Sequence, residues 1–155
     1  MTRMPKPFFY LLVLGVMLTA VLPLSVGQEK PRVIRLKVFY DGQEKPVPDQ
    51  IIMKPSFNKP SVTIPIHNGE FELPPDLDPM AIVFSFDLID ENIKFPLFTT
   101  MLDDVKSLSV YLGEQQFKKF KLPEEVNIKE SCIVELTKSK SWLIIPINQC
   151  RSKPK

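Results

Sequence analysis

The stretch Val62–Pro74 reads VTIPIHNGEFELP, and its reading decides the fold. Asn68-Gly69 is the pair most favoured in a two-residue type I′ turn, because both central residues must take positive φ. With His67 and Glu70 flanking that turn, antiparallel register sets Ile66 opposite Phe71 and Ile64 opposite Leu73. Those four side chains then share one face, and Pro65, Glu70 and Glu72 fall outside it. The expectation is a hairpin at a sheet edge, apolar inside and polar outside.

Working outward, the same period of two recurs. Upstream, Val33–Tyr40 alternates Ile34, Leu36, Val38 and Tyr40 with Arg35, Lys37 and Phe39, and Asp41-Gly42 closes it with a turn signal. Gln43–Asp49 carries Pro46 and Pro48 and reads as an extended loop before a short strand, Gln50–Lys54. Downstream, Met80–Leu88 puts Ile82, Phe84, Phe86 and Leu88 on one face. Ile93–Thr100 does the same with Ile93, Phe95 and Leu97. A strand is expected over Lys106–Leu112, given β-branched Val110 and strand neighbours. Phe117 and Phe120, three apart among lysines, fit a short helix or a covering loop equally. Cys132–Thr137 and Trp142–Ile147 resemble a hairpin around Lys138–Ser141.

Thirteen of the 16 prolines and three of the five glycines lie beyond residue 27. Breakers spaced between short apolar runs imply an all-β chain, an antiparallel β-sandwich of about seven to nine strands. Pro65, Pro96 and Pro146 interrupt good strands. Proline has no N–H for a ladder, so these positions belong at edges or bulges, where they also discourage edge-to-edge association.

Residues 1–27 read as a cleaved signal peptide. Arg3 and Lys6 precede the uncharged run Phe8–Leu22, and Ser25-Val26-Gly27 supplies a small-residue cleavage site before Gln28. Pro23 ends the run short of the roughly 20 apolar residues that span a bilayer. A secreted or periplasmic protein follows, meeting a membrane only during export or if the signal stays uncleaved. Residues 28–150 then form one β-sandwich domain, followed by a basic tail over 151–155. The chain has 20 basic and 18 acidic residues, and the signal takes Arg3 and Lys6, leaving 18 of each. A neutral domain with two small lysine and arginine clusters is a poor nucleic-acid binder.

Cys132 and Cys150 are the only cysteines. Beyond a signal peptide an even number is expected to pair, and a turn near Ser139 brings both close together. Redox or metal chemistry would want a C-x-x-C or a nearby histidine, and neither is present. His67 is the sole histidine and flanks a turn; no G-x-S-x-G motif accompanies it. Carboxylates cluster at Asp76 and Asp78, at Asp87, Asp90 and Glu91, and at Asp103-Asp104. Solvated turn residues are the plainer reading of them than a calcium site or a glycosidase pair. No catalytic residue, cofactor or metal ligand is expected, and the chain reads as no enzyme.

Trp142, Tyr40 and Tyr111 are the candidates for a ligand face, since exposed rings stack on sugars. The run RLKVFYDGQEKPVPDQIIM and the later NGEFELPPDLDP resemble a carboxypeptidase regulatory-like, transthyretin-like β-sandwich domain over about residues 33–88. Asp41-Gly42, Pro46-Val47-Pro48, Gly69, Phe71 and Leu73 carry the likeness. The resemblance implies an extracytoplasmic accessory or adhesive module. The functional expectation is therefore a non-catalytic module for protein interaction or structural support at the cell envelope. Its partner would be a protein or an envelope glycan. A carbohydrate-binding module is the alternative, and a small hydrolase a more distant one.

Overall fold

The computed structural model describes residues 30–55, 59–75, 77, 80–122 and 125–153. The expected signal peptide, Asp76, Asp78 and the last two residues lie outside them. The chain from Pro31 onward forms one compact unit.

Eleven strands form two packed sheets among the described residues. They are β1 (Arg32–Tyr40), β2 (Gln43–Lys45), β3 (Gln50–Pro55), β4 (Val62–Pro65), β5 (Glu70–Leu73), β6 (Ala81–Leu88), β7 (Glu91–Phe98), β8 (Val105–Leu112), β9 (Cys132–Lys138), β10 (Trp142–Ile147) and β11 (Arg151–Ser152). One sheet runs β10-β9-β8-β1-β2, with β5 also on β1; the other runs β11-β7-β6-β3-β4. The all-β sandwich expected from the alternation is present. The count exceeds seven to nine because β2 and β11 are only three and two residues long. Gln43–Lys45, expected as loop, pairs back on β1 through the Asp41-Gly42 turn, both of whose residues have positive φ.

Two features depart from the expectation. β1 and β8 are parallel, with Leu36 beside Leu108 and Val38 beside Val110. Parallel neighbours need a long crossover, and the strands of the second sheet supply it. The Asn68-Gly69 turn forms as read, with φ of 53° and 77° and a backbone pair between His67 and Glu70. Its arms, however, do not stay together. β4 joins β3, with Ile64 opposite Ile51, and β5 joins β1, with Phe71 opposite Ile34. Ile64, Ile66, Phe71 and Leu73 are all buried, as expected of one inside surface. They meet from two sheets across the sandwich, because each arm finds a longer apolar neighbour than its own partner.

The core follows from the period of two. Ile34, Leu36 and Val38 face Phe84, Phe86, Ile93, Phe95 and Leu97, all at most 2% exposed. Phe84 bridges the layers, with ring centroids 6.3 Å from Phe71 and 5.8 Å from Phe95. Such aromatic pairs contribute about 1 kcal/mol each beyond the area they bury. Pro65 and Pro146 lie on the outermost strands β4 and β10. Pro96 lies on β7 beyond the reach of β11, which pairs only at Asn92 and Ile93. All three prolines therefore sit at free edges.

The helix α1 (Glu114–Phe120) settles the Phe117 and Phe120 alternative. It follows β8 and lays Phe120 against Tyr111, with centroids 5.3 Å apart. Lys121, in the left-handed conformation, ends it with a backbone bond to Lys118.

Candidate functional site

The disulfide is the first feature that positions a site. Cys132 and Cys150 are bonded, with Cα atoms 5.6 Å apart. The register of β10 on β9 makes this possible by placing Ile147 opposite Cys132. Between β10 and β11 the chain crosses from one sheet to the other, and the bridge ties that crossing to β9. The Cys150 carbonyl accepts from the Lys94 N–H, and the Glu130 carbonyl accepts from the Arg151 N–H. Buried Ser131 donates to Asn148 Oδ1 at 3.1 Å.

Arg151 was expected in a basic tail. It instead sits in β11, with only 9% of its side chain exposed. Its Nε and Nη2 donate to the two oxygens of Glu91 at 2.7 and 2.6 Å, and Nη2 also donates to the Tyr40 hydroxyl at 3.2 Å. Its guanidinium carbon lies 5.4 Å from the Tyr40 ring centroid. Glu91 belongs to one sheet and Tyr40 to the other, so Arg151 clamps the layers together. The Glu91 carboxylate raises the Arg151 pKa above its ordinary value, against the opposing pull of burial.

Over this clamp opens a cleft of about 550 Å³, a size suited to a small ligand. Tyr40, Glu91 and Arg151 line it, with Asp41 and Gly113–Gln115 on the side of α1 and Ile128, Lys129 and Lys153 beside the disulfide. Gly113 has φ of +96°, and a Cβ there would collide with the Asp41 carboxylate, so that carboxylate lies against the start of α1. Asp41, Glu114, Lys129 and Lys153 have no side-chain ion pair or hydrogen bond among the described residues.

The three aromatic candidates are not brought together. Tyr40 is in the cleft. Tyr111 lies on the outer face of its sheet, stacked on Phe39 at 4.9 Å and covered by Phe120. Its hydroxyl donates to Glu135 at 2.5 Å. Burial, then Glu135, pushes its pKa up to about 12. Trp142 opens edge strand β10 and is 66% exposed, and the adjacent Leu143 is 41% exposed. Through Thr137 and Ser107 it stands in the row of Arg35, five residues from Tyr40 along β1. That is about 17 Å from the cleft end of the sheet.

β10 presents a backbone edge that no strand covers among the described residues. The Lys138 N–H bonds to the Ser141 carbonyl, which makes that pair hydrogen-bonded. Antiparallel pairs alternate, so Trp142, Ile144 and Pro146 point their backbone groups away from β9. Trp142 and Ile144 thus offer unpaired N–H and C=O groups beside an exposed indole, and Pro146 ends the offer.

His67 is exposed at its turn and remote from the cleft lining. Of the described carboxylates in those sequence clusters, only Glu91 lines the cleft. Among the described residues no group of three or more His, Cys, Asp or Glu is placed to hold a metal ion. No helix among them is long and apolar enough to cross a membrane. Sequence reasoning missed Arg151, Asp41 and Lys129. The available signal for Arg151 was its place directly after a paired cysteine. Comparison with protein-family models, with curated proteins and with solved structures finds no match.

Proposed function

We propose that the chain is a secreted or periplasmic, non-catalytic interaction module that holds an extended segment of a partner protein along β10. The observation that carries this reading is the open edge of β10 with Trp142 and Leu143 exposed beside it. Strand addition draws affinity from main-chain hydrogen bonds and specificity from alternate side chains. Tryptophan is among the residues that most often anchor such contacts. The disulfide supports an oxidising compartment. A glycan-binding reading has less support, because Trp142 is the one broadly exposed ring of the three candidates.

The test is retention of partners from the native envelope or medium on immobilised protein, compared with Trp142→Ala and Ile144→Pro. Ile144 has the outward orientation of Pro146, so proline there removes a free N–H and spares the β9 ladder. The expected result is a partner protein whose retention falls at least tenfold in both variants. Equal retention by all three proteins sinks the reading. Loss of a glycan only in Trp142→Ala moves it to carbohydrate binding.

A further inference from the structure

The end cleft is lined by two acids and two lysines that have no side-chain partner among the described residues. Asp41 and Glu114 adjoin, because the Asp41 carboxylate packs against Gly113, the residue before Glu114. Lys129 and Lys153 adjoin, because the Arg151 N–H bonds to the Glu130 carbonyl and so joins the segments that carry them. The Arg151–Glu91 ion pair with Tyr40, a neutral and hydrogen-bonded group, lines the same cleft. All four outer charges line the same space of about 550 Å³, and none has a side-chain partner among the described residues.

We propose that this cleft binds a small zwitterion, a short peptide with both termini free. Its ammonium would lie against Asp41 and Glu114 and its carboxylate against Lys129 and Lys153. A ligand of single charge meets one favourable and one repulsive pair, so like-charge contact disfavours it. A dipolar ligand satisfies both. The Cys132–Cys150 bridge and the Asp41–Gly113 packing hold the backbones of the segments that carry these charges. The site does not depend on the β10 reading, since Trp142 stands near the other end of its sheet.

The experiment is calorimetric titration of the purified protein at low ionic strength with trialanine, N-acetyl-trialanine and trialanine amide. Trialanine should bind, and each blocked form should bind at least tenfold more weakly. In a Lys129→Ala/Lys153→Ala double variant, amidation should then cost nothing further. In Asp41→Asn/Glu114→Gln, acetylation should cost nothing further. All four positions are exposed, and circular dichroism confirms that the variants fold. Absent binding of trialanine at millimolar concentration, or equal binding of free and blocked peptides, overturns the proposal. Turnover of the peptide during titration also overturns it, since the cleft would then be an active site.

Discussion

Arg151 of β11 and Glu91 of β7 form a two-pronged ion pair, at 2.7 and 2.6 Å, at the point where the chain changes sheets. Tyr40 adds a contact from the other sheet. Removing the guanidinium leaves Glu91 and Tyr40 without their donor. Arg151→Met is expected to destabilise by about 1.5–3 kcal/mol, the range for hydrogen bonds to charged groups. Urea unfolding measures this, and an unchanged midpoint would show that the clamp contributes nothing.

The disulfide encloses 18 residues. On the chain-entropy account it stabilises by about 3 kcal/mol. Cys132→Ala/Cys150→Ala should lose about that much, read as a lower denaturant midpoint. Intact mass after alkylation under oxidising conditions should show no added groups. Two freely alkylated thiols would refute the bridge.

Tyr111 binds its proton more tightly in the fold than in the unfolded chain, since its pKa rises from 10.0 to about 12. The stability tied to its neutral form is complete below pH 10. It declines as pH rises toward 12, because the unfolded tyrosine ionises first. Tyr111→Phe should flatten that alkaline decline and remove a phenolate that appears near pH 12 in absorbance titration. A phenolate from Tyr111 forming near pH 10 contradicts the half-buried Glu135 contact.

Gly113 occupies a backbone region closed to L side chains, and a Cβ would strike Asp41. Gly113→Ala should cost about 1–3 kcal/mol. Thermal unfolding monitored by circular dichroism provides the measure.

Pro146 ends the free edge of β10. Pro146→Val restores a backbone N–H next to an exposed apolar strand, so self-association should rise. Analytical ultracentrifugation of the variant against the parent checks it, and a monomeric variant at equal concentration would assign the proline no such role.

The alternation in β1, β6 and β7 revealed every inward face, because a period of two states which side of a strand is covered. It does not state which strand supplies the hydrogen bonds. That is why Asn68-Gly69 was legible as a turn and the separation of β4 from β5 was not. The β9–β10 register was legible to within one residue from its turn, which was enough to bring Cys132 and Cys150 within reach of each other. The cleft was hidden because its members lie far apart in sequence. Asp41, Glu91, Lys129 and Arg151 each look like ordinary surface residues until the topology gathers them.

The parallel pairing of β1 with β8 also has a bearing on time. The row that joins Leu36 to Leu108 spans most of the folded sequence, so contacts of long separation dominate this sheet. During synthesis, β1 meets β2 and β5 well before β8 exists. One whole flank of an apolar strand therefore waits, open to any extended neighbour, until residues 105–112 arrive. For this chain the hazardous interval is that wait, and a chaperone that occupied the vacant flank of β1 would protect the fold where it is weakest.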